Sequence, residues 1–158
     1  MNNLPQKNML SPSKINWFTF FKLPASWWSG VRLKKINEEA CETSVKFKWI
    51  NQNPFKSMYF AVQMMAAELS SGALVMTSIR NQKQPVSMLV ARNKAEFTKK
   101  ATGRITFTCL DGIKIKQAIE KAIETKEPQT CWMQTKGLNE KGELVSTMDF
   151  EWTIKAKS

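Results

Sequence analysis

Residues 53–72 read NPFKSMYFAVQMMAAELSSG, from Asn53 to Gly72, and this stretch decides the fold. It lacks strand composition, and most of its residues suit a helix. Asn53 before Pro54 can cap an early start, Ser57 can cap a later one and Gly72 supplies a stop, so a central helix over about 54–71 is expected. Its apolar residues cover nearly every direction, whereas a helix on a protein surface keeps a broad polar face. Other structure must wrap it.

The flanking sequence supplies the wrapping. Residues 31–36 read as a strand, and in 44–49 Val45, Phe47 and Trp49 alternate with Ser44, Lys46 and Lys48. Downstream, 73–79, 86–97, 104–110, 129–136 and 144–154 also read as strands. In the last, Leu144, Ser146, Met148, Phe150, Trp152 and Ile154 share one face. Ile115, Ala118, Ile119, Ala122 and Ile123 recur at helical spacing and predict an amphipathic helix over 112–124. Asp111-Gly112 precedes it as a turn, and Asn139-Glu140-Lys141-Gly142 reads as a hairpin connection.

The chain has 158 residues, 42% of them in the hydrophobic set, which suits one domain over 11–158 behind a tail at 1–10. Twenty-four Lys and Arg against thirteen Asp and Glu give a formal charge of +11, so an anionic partner is favoured. Residues 1–37 carry six of those cations and no acid. Within them Ser11-Pro12-Ser13 can start a short helix, and Ile15, Trp17, Phe18, Phe20 and Phe21 supply apolar area before Pro24 ends it. This reads as an amphipathic element capping the core, with a membrane-surface or targeting element as the alternative; Trp27 and Trp28 fit either.

There is no histidine, which removes Ser-His-Asp and Cys-His catalysis, imidazole metal ligands and imidazole proton transfer. A general base must come from a carboxylate, lysine, tyrosine or cysteine. Cys41, Cys109 and Cys131 are an odd, widely spaced set that suggests neither a disulfide framework nor a zinc site; they read as small apolar residues in a reducing compartment. Neither a membrane span nor a secretion signal is expected, and a cytoplasmic location follows by elimination.

Antiparallel strands around a nearly all-apolar helix make the fold class α+β, since a doubly wound sheet needs more crossover helices. The order resembles the hotdog fold, in which a curved antiparallel sheet wraps a long central helix. More narrowly it resembles the uncharacterised DUF4442-like branch related to the phenylacetate-pathway thioesterases. In those relatives an Asn precedes a His-Gly-Gly segment and an acid lies fifteen positions after that Asn. The same spacing joins Asn53 to Glu68 here, with Tyr59-Phe60-Ala61 replacing His-Gly-Gly. Phe60 and the Cβ of Ala61 would crowd a ligand approaching the backbone amides, and Tyr59 cannot reproduce imidazole chemistry.

The resemblance implies a thioesterase acting on an acyl-CoA or related acyl thioester, with coenzyme A present only as part of the substrate and no separate cofactor. It also implies a homodimer or a dimer of dimers, with Glu68 of one subunit facing Asn53 and the Tyr59, Phe60 and Ala61 amides of its neighbour. The residues themselves leave alternatives open. Glu68 is the only charged residue between Ser57 and Ile79, so it is a base or ligand contact, or a buried acid paired with a cation. Asn53 orients water or Glu68, or caps the helix.

Tyr59 contacts ligand or packs, and Gln63, about 140° around the helix from Glu68, reads as a packing hydrogen-bonder. Lys94, Lys99, Lys100 and Arg104 suit anionic phosphates, or form a solvated face. Met58, Met64, Met65, Met76 and Met88 line an acyl channel or belong to the core. No nucleic-acid partner is expected, because most aromatics follow core alternation. The leading alternative function is a noncatalytic acyl-ligand-binding protein, and a third is a structural dimer with its cleft filled by Phe and Met.

Overall fold

Small side chains let one helix lie against a curved sheet, and that contact organises the molecule. A computed structural model describes residues 10–157. The expected tail at 1–10 lies outside the described residues except for Leu10, which is buried. In chain order the elements are α1 (Pro12–Lys22), α2 (Pro24–Trp28), β1 (Arg32–Ile36), β2 (Cys41–Lys46), a 3-10 turn (Trp49–Asn51), α3 (Phe60–Arg80), β3 (Val86–Phe97), β4 (Arg104–Cys109), α4 (Gly112–Thr125), β5 (Gln129–Leu138) and β6 (Leu144–Ala156). The six strands form one antiparallel sheet in the order β1-β2-β4-β5-β6-β3. With α3 packed against β2, β4 and β5, this is the α+β hotdog architecture.

Two expectations about the central helix are corrected. It begins at Phe60, seven residues after Asn53, and runs to Arg80, so residues 73–79 continue the helix and are not a strand. An apolar run of that length suits either state by pattern, and burial decides it. Gly72 is no stop: a Cβ there would meet the Trp152 ring at 3.3 Å and Glu68 Oε1 at 3.1 Å, so the glycine marks close approach of helix and sheet. Ser70 and Ser71 are absorbed into the helix by donating to the carbonyls of Ala67 (2.7 Å) and Glu68 (3.0 Å).

Side-chain polar contacts fasten α3 to the strands, among them Thr135 Oγ1 donating to the Ala67 carbonyl at 3.4 Å. Thr43 Oγ1 donates to the Ala66 carbonyl (2.6 Å), Trp152 Nε1 donates to Ser71 Oγ (3.1 Å), Ser146 Oγ donates to Gln63 Oε1 (3.1 Å), and the Ser70 and Thr135 hydroxyls lie 2.9 Å apart. Around them Ala66, Ala67, Ala73, Val75, Phe107, Met133, Met148 and Ile154 are fully buried. α3 has the length and apolarity of a bilayer span, but 67% of its most apolar window is buried inside the protein. It is a core helix.

The strand ends differ locally from the sequence reading. β2 stops at Lys46, and Trp49 sits in the 3-10 turn at 82% exposure instead of facing the core beside Val45. Ser44 is buried on the opposite face from Val45, where Arg104 Nη1 donates to its hydroxyl at 3.4 Å. α1 is capped by Ser11 as expected, yet of its residues only Ile15 and Thr19 are buried, and its aromatics point outward. The hairpin at Asn139–Gly142 closes through Asn139 N–H to the Glu143 carbonyl (3.0 Å).

The start of α4 is tightly constrained. Gly112 N–H donates to the Glu39 carbonyl at 2.9 Å, and a Cβ on Gly112 would sit 2.1 Å from the Glu38 carbonyl oxygen. Gly112→Ala must push two backbone segments apart, and is expected to lower stability by about 1–3 kcal/mol. Urea unfolding followed by circular dichroism checks this, and an unchanged midpoint would show that the close approach is not maintained in solution.

Candidate functional site

The segment entering α3 is a built turn. Asn53 Oδ1 accepts from Phe55 N–H (2.9 Å), Ser57 N–H (3.3 Å) and Ser57 Oγ (3.2 Å), while Nδ2 lies 3.0 Å from Ser57 Oγ and donates to the Met58 carbonyl at 3.3 Å. This side chain closes a loop in which Lys56 is held at φ 57°. Asn53 does not cap the helix, because α3 starts seven residues later. Tyr59 occupies the cap position without a side-chain cap, and its own N–H is taken by the Asn51 carbonyl (2.9 Å). Among the described residues the N–H groups of Phe60 and Ala61 have no acceptor, as befits the first two helical positions.

Phe60 lines an open cleft of about 520 Å3, whereas Ala61, expected beside it, is absent from the lining. Asn53, Tyr59, Phe60, Gln63, Lys99 and Lys100 line it, so five of the expected site residues come together. The Phe60 ring packs edge-on against Tyr59 (5.0 Å between centroids) and Phe97 (6.1 Å). Lys99 is partly engaged by Glu143 at 2.7 Å, an ion pair that also holds the Glu143 carboxyl below its ordinary range. Lys100 Nζ donates to the Phe55 carbonyl at 3.4 Å across the rim.

Other expected residues lie elsewhere. Arg104 is turned to Ser44 and is absent from the cleft lining, and Lys94 stands 4.8 Å over the Trp132 ring. Gln63, read only as a packing residue, both ties α3 to Ser146 and lines the cleft. Phe97 and Thr98 also line it, brought there by the end of β3; pattern alone gave no sign of this because they lie far from Asn53 in sequence. Of the methionines, Met58 is buried at the cleft floor, while Met64, Met65 and Met88 pack against the core.

Glu68 sits two turns below the cleft on α3, about 12 Å along the axis from Phe60. Its side chain is half-buried beside Gly72 and Trp152, and among the described residues no side chain or backbone group bonds or ion-pairs with its carboxylate. Burial pushes its pKa above the ordinary value of 4.5. The contrast is Glu151, whose side chain is only 7% exposed: Arg92 grips it through two bonds of 2.5 and 3.0 Å and holds its carboxyl below the usual range. Buried Cys41 and Cys109 have their thiols pushed up, Cys109 to about 11, so neither is a ready nucleophile.

The chain belongs to the DUF4442 family. The model of this domain of unknown function matches residues 13–154. A search of curated proteins finds no significant match to the DUF4442 chain. Among solved structures it is similar to a Pseudomonas aeruginosa protein of unknown function, given as a probable thioesterase, with a TM-score of 0.80 and 22% identity over 94% of this chain and 99% of that one. A Chlorobaculum tepidum protein of unknown function gives a TM-score of 0.79 at 14% identity, covering 94% and 98%. A Haemophilus influenzae thioesterase gives 0.70 at 11%, covering 95% and 94%. At these identities the likeness shows the hotdog fold.

The Glu68 pKa makes a prediction about stability. A carboxyl whose pKa is higher in the folded than the unfolded chain favours folding while it is protonated. That advantage is fully present below the unfolded value and is lost as pH rises through the folded one. Glu68→Gln removes this loss, so the variant's melting temperature relative to the parent is expected to be higher at pH 8 than at pH 4, by differential scanning calorimetry. An equal difference at the two pH values would mean that Glu68 is not desolvated.

Proposed function

We propose that this DUF4442 chain is an acyl thioesterase, acting on an acyl-CoA or a similar thioester, whose site is shared between two copies. The observation that carries the reading is Glu68: a half-buried carboxylate on the core helix, pKa raised, with no partner of its own among the described residues. An acid kept in such a seat without compensation is a group suited to general-base work. The free Phe60 and Ala61 amides at the positive end of α3 are suited to receive a carbonyl oxygen as negative charge develops.

The two features are about 12 Å apart on one helix, too far to act on one carbonyl. Antiparallel apposition of two α3 helices about a two-fold axis would bring the acid of one chain to the helix start of the other. The sheet supports this pairing. β3 is a twelve-residue edge strand, bonded only to β6, largely exposed and carrying Leu89 at 67% exposure. Long open edges of this kind are normally covered, and continuation of the sheet into a second copy covers it.

In the proposed reaction Glu68 takes a proton from water as its oxygen bonds to the thioester carbon. The carbonyl electron pair moves onto oxygen facing the two amides. Collapse of that intermediate breaks the carbon–sulfur bond, and the proton returns to the leaving thiolate. Lys99 and Lys100, across the cleft from Phe60, are suited to the phosphates of coenzyme A. Asn53 acts by holding the turn that presents the helix start. The competing reading, a noncatalytic acyl binder, is favoured by Tyr59-Phe60-Ala61, since no imidazole is present and the aromatic rings narrow the approach.

A thiol-release assay across short, medium and long acyl-CoA chains tests the reaction. Glu68→Gln is expected to lower kcat by about 10²-fold or more, and the parent rate to fall as pH drops through the raised Glu68 pKa. Phe60→Pro should also cost about 10²-fold in kcat relative to Phe60→Ala, because it deletes one amide donor at a helix position that accepts proline, after a Tyr59 already at ψ 134°. Saturable binding without turnover selects the binder, and equal rates for parent and Glu68→Gln contradict the carboxylate mechanism. Light scattering is expected to give at least twice the 18.1 kDa chain mass, and a persistent monomer rules out the shared site.

A further inference from the structure

The N-terminal helices are turned inside out relative to an ordinary surface helix. Of the α1 residues only Ile15 and Thr19 are buried, while Trp17 (63% exposed) and Phe21 (66%) face solvent, and Trp27 of α2 joins their cluster through Phe20. Spacing of i, i+3 and i+4 puts Trp17, Phe20 and Phe21 on one stripe. This platform is firmly held: Asn16 donates from Nδ2 to the Leu33 carbonyl and accepts from Leu33 N–H, both at 2.9 Å, which fixes α1 to β1. A contiguous, rigid aromatic patch on a surface marks an interaction site.

The charge around it defines the partner. Lys14, Lys22 and Lys34 are exposed, and no ion pair engages them among the described residues. The sequence contains no acid before Glu38. A self-complementary contact between two copies would bring like charges together, which argues against this face as the dimer surface. A nucleic-acid strand stacks successive bases on separate rings, whereas Trp17 and Phe21 stack on each other at 5.6 Å and Phe20 packs edge-on with Trp27 at 5.3 Å, so the rings form one cluster and not a row of platforms. A groove of about 340 Å3 opens between Ser13, Asn16, Trp17, Phe20 and Trp27. With both polar atoms of Asn16 engaged by Leu33, it suits an apolar chain better than a polar ligand.

From the outward aromatic stripe and the basic segment without acids that carries it, we infer that the α1–α2 face docks on an anionic lipid bilayer. Trp17 and Phe21 enter the interfacial layer, where indole and phenyl rings are favoured, and the lysines meet the headgroup phosphates. This inference does not depend on thioester chemistry and stands or falls separately from it.

Sedimentation of the full chain with vesicles tests it, using phosphatidylcholine alone or phosphatidylcholine and phosphatidylglycerol in equal parts. Binding is expected to the anionic vesicles and to fall in salt of about 1 M. Trp17→Ser with Phe21→Ser should weaken it by about tenfold or more, as should Lys14→Glu with Lys22→Glu. All four side chains are exposed, so circular dichroism should match the parent. Quenching of the parent's tryptophan fluorescence by bromine-labelled lipid tests insertion without any variant. Absent binding, binding indifferent to the aromatic pair, or no quenching would overturn the proposal. So would an equal dependence on that pair for single-stranded oligonucleotide binding, or for formation of larger assemblies.

Discussion

The structure depends on how closely α3 can lie in the hollow of its sheet. Ala66, Ala67, Ser70, Ser71, Gly72 and Ala73 present almost no bulk, and Trp152 fills the space against Gly72. Close packing of this kind carries dispersion energy that larger side chains would forfeit through displacement. It also commits the helix to satisfying its hydroxyls internally or across the gap, which Ser70 and Ser71 do through backbone carbonyls, Thr135 and Trp152. A charged side chain in such a seat is expensive, and that cost is what gives Glu68 its chemical interest.

A buried and a half-buried carboxylate show how environment separates role. Glu151 is covered on the sheet and fully occupied by Arg92, which fixes it as a structural anion. Glu68 is half-buried beside Gly72, and among the described residues no cation pairs with it. The helix start presents the complementary feature, two amides without acceptors among the described residues, with Phe60 lining an aromatic and lysine-rimmed cleft. Separation of acid and amides along one helix is why the proposed reaction calls for a second copy, and the long open edge of β3 is the surface proposed for it.

Much of this was legible in the sequence, and the exceptions have physical causes. Strand alternation marks β5 and β6 because each has one face against the core, and the all-apolar helix demands a wrapping sheet. The end of α3 was misread because Ser70-Ser71-Gly72 looks like a terminus until Trp152, eighty residues later, shows why a glycine is needed. Asn53 looked like a helix cap, but its amide closes a turn with Ser57. Glu68 was visible as the lone charge in a buried stretch. Arg104 was misplaced because its contact with Ser44 depends on strand pairing, and Phe97 and Thr98 reach the cleft only through tertiary structure.

The most direct measurement is an NMR titration of the Glu68 side-chain carboxyl carbon in the full chain at a concentration where its association state is known. The account predicts a midpoint above 4.5 and a further change when a nonhydrolysable acyl-CoA thioether is added. A midpoint at or below 4.5, unmoved by that ligand, would contradict a desolvated, unpaired acid at the reacting carbon.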